Sequence, residues 1–370
     1  MFPLVILRRV SVLCLVLFIG ACSQEEAPAQ STASSDKLTA SGAAALANYS
    51  ADLQQTSVSG LSSGAFMTSQ LYMAHSDIMV GAGVIAGGPY LCSRSWPMAA
   101  PALTATTTCM NPPSESLGPN LARLLTLTRE LAEEESIDPL ANLKDDRFYL
   151  FSGLSDDTVV SQVVDATRDY FLQLGVPAQQ ILYSNQINAG HAIITNNDDD
   201  TDCAITQSPF INNCQFMQAT RILSYLYMDA NPPAPTASGE LIAFDQRPFL
   251  VGELTSMADT GYVYVPEYCQ QHSNCRIHVA VHGCKQSYEE IGDAYIRTTG
   301  YNPMADTNRL IVLYPQVNVS DLAPLNPLGC WDFWGYSSVD IFQPDFYSRD
   351  APQIKSIYAM IQRLAEEQEE

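Results

Sequence analysis

Basic residues are scarce: 18 Lys and Arg stand against 40 Asp and Glu, a formal net charge of -22, and only 16% of the 370 residues are charged at all. A surface of that sign repels nucleic acid and anionic lipid, so neither is expected as a partner. Histidine is sparser still. Five in the whole chain leave a short list for any imidazole that acts as a base. No two cysteines form a C-x-x-C pair, a frequent mark of structural zinc, and no metal or other cofactor is expected. The apolar run near the start, Val10 to Ile19, is too short to span a bilayer comfortably.

The chain is well supplied with length and apolar residues. At 46% hydrophobic over 370 residues it fills a core large enough for one big α/β domain. Arg8 and Arg9, the apolar run and Gly20-Ala21 reproduce the charged, apolar and small-residue regions of an export signal. Small residues directly before Cys22 resemble a bacterial lipoprotein box, with Cys22 as the lipidated residue. Ser23 after it implies an outer-membrane rather than an inner-membrane anchor. The expected organisation is a signal over 1–21, a flexible tether over 22–50 and one catalytic domain over 51–370. The Ala-, Ser- and Glu-rich tether reaches roughly 25–30 Å as a random coil. The product is an outer-membrane lipoprotein or an extracellular protein, expected to be monomeric.

Ten cysteines agree with export. Outside the signal region eight remain, an even set that favours disulfides although it allows 105 pairings. Proximity suggests Cys92–Cys109, Cys203–Cys214 and Cys269–Cys275, leaving Cys284–Cys330.

Two motifs occur in an unusual order. Gly60-Leu61-Ser62-Ser63-Gly64 is the G-x-S-x-G turn on which an α/β-hydrolase presents its serine, and His282-Gly283-Cys284 is the kind of loop that lends it a backbone donor. That loop normally comes first; here it lies far downstream. A circularly permuted α/β-hydrolase resolves the conflict, and hydrophobic periodicity supports it. Strands are expected at Thr56–Ser59, Val80–Ala86, Phe148–Ser152, Ile181–Gln186, Leu241–Asp245, Tyr262–Val265, Arg276–Val281 and Leu310–Tyr314. Helices are expected over Ser63–Ala74, Leu121–Ala132, from about Val160 to Leu174, from about Cys214 to Met228, and after Asp350-Ala351-Pro352. Cutting at Asn231-Pro232-Pro233-Ala234-Pro235 and moving the back part forward restores the unpermuted succession. The new ends then fall between the last helix and the nucleophile strand.

Within that frame Ser62 is the nucleophile and Ser63 offers an oxyanion N–H. His191 follows a strand after the acid strand and is the expected base. Asp156, at the G-x-x-D-x-x-V spacing from Gly153, is preferred over Asp157, which is assigned to capping the next helix. His75 and His272 are expected to be structural or solvent-facing, and His278 and His282 to pack and position the oxyanion strand and its loop. Asp198, Asp199, Asp200 and Asp202 read as a solvated loop.

These segments, with Ala86-Gly87-Gly88-Pro89-Tyr90, Ala189-Gly190-His191 and Asn326-Pro327-Leu328-Gly329-Cys330-Trp331-Asp332-Phe333-Trp334-Gly335-Tyr336, resemble the extracellular poly(3-hydroxybutyrate) depolymerases from about residue 50 to the C-terminus. The resemblance implies the triad Ser62, Asp156 and His191, with Cys284 as second oxyanion donor. It implies that Trp331 and Trp334 line the crevice, and Tyr90 is added as a substrate contact. The expected activity is ester hydrolysis of short-chain polyhydroxyalkanoate and its oligomers through an acyl-enzyme. A feruloyl or acetyl esterase, or another polyesterase of the same fold, is the alternative. No separate polymer-adsorbing domain follows Tyr336, so attack on amorphous polymer or oligomers is favoured over crystalline granules.

Overall fold

All six residues of β1 (Thr56–Leu61) are buried, and a strand covered on both faces belongs in the middle of a sheet. The computed structural model describes residues 43–338, 340 and 343–368; Cys22, its signal region and most of the tether lie outside these. After β1 come α1 (Ser63–Ala74), β2 (Met79–Ile85), α2 (Pro101–Thr106), α3 (Leu121–Glu133), β3 (Arg147–Phe151), α4 (Ser161–Gln173) and β4 (Ile181–Ser184). Three short strands follow, β5 (Ile193–Thr195), β6 (Thr201–Asp202) and β7 (Ile211–Asn213), then α5 (Gln218–Leu226). The remainder is β8 (Glu240–Asp245), β9 (Thr260–Val265), α6 (Glu267–Gln271), β10 (Arg276–Val281), α7 (Tyr288–Ile291), α8 (Ala294–Thr298), α9 (Tyr301–Asn308), β11 (Leu310–Tyr314) and α10 (Pro352–Ala365).

Eight strands form one sheet in the order β8-β9-β11-β10-β1-β2-β3-β4. Only β9 runs against its neighbours; the other pairings are parallel. Renumbered cyclically from β8, the order reads 1-2-4-3-5-6-7-8. The Gly60 turn then ends the fifth strand and the His282 loop ends the third, the strand whose loop supplies the oxyanion donor in an α/β-hydrolase. The fold is therefore an α/β-hydrolase with its chain circularly permuted. All twelve residues of α1 are buried, which suits a helix at the heart of the core.

The joints of the permutation are visible. The N–H groups of Tyr49 and Ala51 donate to Leu364 O, and that of Ser50 to Glu366 O, so the segment leading into β1 is bonded to the C-terminal end of α10. The Pro-rich segment is strapped to α9, Asn231 N donating to Asn308 Oδ1 at 2.6 Å and Ala234 N to Pro303 O at 2.9 Å. One boundary moves. Leu46 and Tyr49 are 2% and 7% exposed, so ordered packing begins before residue 51, inside the stretch expected to be tether. Two apolar residues among alanines give no period to read.

A second sheet, β5-β7-β6, was not expected from the sequence. Its strands are two or three residues long, below one readable period, and Cys203–Cys214 ties β6 to β7. The expected helix from Cys214 accordingly starts later, at Gln218.

Candidate active site

The turn after β1 brings Ser62 to φ 58° and ψ -122°, a strained conformation for a residue with a side chain. Its glycine neighbours permit it. A Cβ on Gly60 would stand 2.4 Å from Gly64 O and 2.7 Å from Val281 O; one on Gly64 would stand 2.4 Å from both Val281 O and His282 O. Only bare Cα atoms let the turn press against the end of β10. The same contact brings the downstream loop to the serine: a methyl group added at Gly283 would lie 3.5 Å from Ser62 Cβ.

Ser63 opens α1, so its N–H has no partner one helical turn back. The Cys284 N–H makes no backbone hydrogen bond among the described residues. Cys284 is joined to Cys330, and Lys285 N donates to Leu328 O at 2.8 Å, fastening the loop to the tryptophan-bearing segment. The other bonds are Cys92–Cys109, Cys203–Cys214 and Cys269–Cys275.

Asp156 lies just beyond β3. Its Oδ1 accepts from the N–H groups of Thr158 and Val159, each at 2.9 Å, and its Oδ2 stands 2.8 Å from His191 Nδ1. Both side chains are almost fully buried. The His191 loop is fixed by Thr206 Oγ1, which accepts from its N–H at 2.9 Å, and by Ser155 N donating to Ala189 O. Strands β1 to β4 are parallel, so these loops share the sheet edge with Ser62. Among the described residues the Ser62 hydroxyl has no hydrogen-bond partner, so the pair joined directly is Asp156–His191. Bonds to a catalytic serine commonly tighten only with substrate.

Asp157 does not cap the following helix. Val160 occupies that position, without a side-chain bond, three residues beyond Asp157. The other imidazoles are committed elsewhere. His278 lies between Ser57 Oγ at 2.7 Å and Ser59 Oγ at 2.8 Å, and burial lowers its pKa to about 3. His75 stacks on Tyr358, and burial lowers its pKa to about 4. His272 stacks on Tyr268. The H-x-x-x-H spacing from His278 to His282 pairs ligands on a helix, but here it starts on a strand and both rings are hydrogen-bonded.

Two expected substrate contacts are corrected. Trp331 is 0% exposed and Tyr90 1%. Trp331 packs in the core against His282 at 5.5 Å between rings, and the Tyr90 hydroxyl donates to Tyr347 O. Aromatic residue type alone does not reveal which way a ring faces. Trp334 is half-buried, edge-on to Phe333, which stacks on Phe66 one turn from Ser62. Sequence reasoning missed Asp332. Its carboxylate shapes this segment, accepting from the N–H groups of Trp334, Gly335 and Tyr336 at one oxygen and from Ser337 at the other. The signal was present, since an aspartate before a glycine invites such a turn.

Sheet order and serine turn together define the α/β-hydrolase class. No family model matches the chain. The poly(3-hydroxybutyrate) depolymerase of Delftia acidovorans is 39% identical over 319 residues, 85% of this chain but 60% of that protein's length. The polyhydroxybutyrate depolymerase of Talaromyces funiculosus is 36% identical over 311 residues, 80% of this chain and 86% of that one. The crystal structure of PHB depolymerase from Penicillium funiculosum superposes with a TM-score of 0.75 at 31% identity, covering 87% of this chain and 98% of its own. A Ser-to-Ala variant of PHB depolymerase complexed with an R3HB trimer gives the same values. The chain belongs to the polyhydroxybutyrate depolymerase family.

Proposed function

We propose that the chain is a serine esterase that hydrolyses poly(3-hydroxybutyrate) and its oligomers through an acyl-enzyme. The observation that carries this reading is the 2.8 Å Asp156–His191 pair at the sheet edge where Gly283 abuts Ser62. His191 removes the Ser62 proton as the oxygen attacks the ester carbonyl, while Asp156 holds the ring's tautomer and stabilises the imidazolium. The oxyanion is received by Ser63 N–H and Cys284 N–H, each contributing on the order of 100-fold or more. The alcohol end leaves with the proton from His191, and water repeats the cycle on the 3-hydroxyacyl ester.

The substrate assignment is supported by the trimer in the related structure and by the half-buried Trp334 near Phe66, which suits an uncharged chain of ester dipoles and methyl groups. Four disulfides support export to an oxidising compartment. In this reading Cys22 carries a lipid that anchors a monomer to the outer membrane. Product analysis on amorphous polyhydroxybutyrate, wild type beside Ser62→Ala, tests the function. Loss of hydrolysis with folding retained is the expected result, and unchanged activity refutes it.

A further inference from the structure

Basic side chains are few on this acidic chain, and Arg168, Arg247, Arg276, Arg297, Arg349 and Arg363 already pair with carboxylates. Arg94 and Arg123 have no such partner among the described residues. Both line one cleft of about 270 Å³, together with Ser93, Trp96, Pro101 and Tyr347.

The walls of this cleft are held by the fold itself. Trp96 Nε1 donates to Thr108 Oγ1 at 3.1 Å, next to the Cys92–Cys109 disulfide. Tyr347 O accepts from the buried Tyr90 hydroxyl at 2.8 Å. Arg123 Nε donates to Arg94 O at 2.9 Å, which spends one of its five N–H donors and leaves its two Nη groups. Arg94 lies 5.6 Å from the centre of the Tyr347 ring, and its Nη1 stands 3.5 Å from the Tyr347 hydroxyl, beyond the usual hydrogen-bond range. Asp345, two residues before Tyr347, is occupied by the N–H groups of Tyr347 and Ser348 and by the Ser348 hydroxyl. Two guanidinium groups with donors to spare thus stand between aromatic and proline walls, a combination that receives a carboxylate on an otherwise apolar body.

The cleft adjoins the reaction centre through Ser93. Its hydroxyl donates to Phe333 O at 2.5 Å, and Phe333 stacks on Phe66, one turn into the helix that follows Ser62. A hydroxybutyrate chain is uncharged except at its terminal carboxylate. Hydrolysis passes the acyl part to Ser62 and releases the alcohol part, so the carboxylate departs with the leaving portion. A protein of net charge -22 repels that group unless its local sign is reversed.

We propose that Arg94 and Arg123 form a subsite for the terminal carboxylate of a hydroxybutyrate oligomer, on the leaving side of the ester held at Ser62. The proposal rests on the reading of the chain as a hydroxybutyrate esterase and deepens it by naming the end of the substrate that is gripped.

The test compares (R)-3-hydroxybutyrate oligomers, trimer to hexamer, as free acids and as methyl esters, with cleavage of internal esters followed by chromatography of the products. The ratio of kcat/KM for acid over methyl ester is taken on one preparation, so a lower folded yield cancels. Wild type should favour the acid by about 10-fold at one or more of these lengths, the scale of one hydrogen bond to a charged group. In Arg94→Gln and in Arg123→Gln the ratio should fall to 1 or below, the change lying mainly in KM. A wild-type ratio near 1 at every length, or a ratio that survives both substitutions, overturns the proposal. So does an unchanged ratio in variants that only resist inhibition by free 3-hydroxybutyrate, since the cleft would then hold released product alone. Failure of wild type to cleave either form is a different result, and it refutes the esterase reading itself.

Discussion

Gly60 and Val281 stand opposite each other in the parallel pairing of β1 with β10. The turn that carries Ser62 and the loop that carries Cys284 therefore leave the sheet side by side, although most of the chain lies between them. This contact is what the permutation has to preserve, and it depends on two glycines. Gly64→Ala would drive a methyl group into Val281 O and His282 O. A displacement of about 1 Å at a catalytic turn costs on the order of 100-fold, and we expect at least that loss in kcat, measured on a soluble butyrate ester.

Asp156→Asn keeps an oxygen for the amides of Thr158 and Val159 but no longer imposes the tautomer of His191. By analogy with the triad aspartate, kcat should fall on the order of 10⁴-fold with KM little changed. Circular dichroism and the denaturant midpoint should stay close to wild type.

The two tryptophans should behave oppositely. Trp331→Ala empties a fully buried site and should destabilise the fold by about 3–5 kcal/mol, read by denaturant unfolding. Trp334→Ala should leave that midpoint nearly unmoved and raise KM for a hydroxybutyrate trimer several-fold.

Replacing Cys284 and Cys330 together by serine keeps the Cys284 backbone but opens a loop closed over 46 residues. Chain entropy puts the loss near 4 kcal/mol. Guanidinium unfolding should show it, while kcat at low temperature falls far less than in Ser62→Ala, since the donor is a backbone group.

Asp146 provides a pH signature of stability. Burial raises its pKa to about 7, against the Tyr72 hydroxyl, which donates to it at 2.6 Å. The folded state then holds a proton that the unfolded state has released above pH ~4. This contribution is complete at low pH and is lost as pH rises toward 7, by about 1.4 kcal/mol per unit. Asp146→Asn lacks this proton linkage, so the stability of wild type relative to the variant should fall between pH 5 and 7 and level off above. A constant difference would contradict the assignment.

The main sheet could be read in advance because its strands are runs of β-prone residues, most of them closed by a glycine, serine or aspartate turn and β9 and β11 by a proline. Apolar spacing likewise located α1, α4 and α10. Hydrogen-bond geometry was out of reach. Nothing in the order Asp156-Asp157 says which carboxylate gathers the amides of Thr158 and Val159, and Gln286 reads as any polar residue until its oxygen is seen on Gly283 N–H. Facing was equally hidden: Tyr90 and Trp331 point inward and Trp334 remains partly open, three aromatic residues in similar company with different neighbours across the chain. The β5-β7-β6 sheet is made by contacts and a disulfide rather than by periodicity.

The most direct test is a crystal structure of the chain inhibited by an alkyl phosphonate. The account predicts a bond from Ser62 Oγ to phosphorus, with one phosphoryl oxygen about 2.7–3.1 Å from both Ser63 N and Cys284 N and His191 Nε2 facing the adduct. A phosphonate on another residue, or an oxygen directed away from Cys284 N, would contradict it.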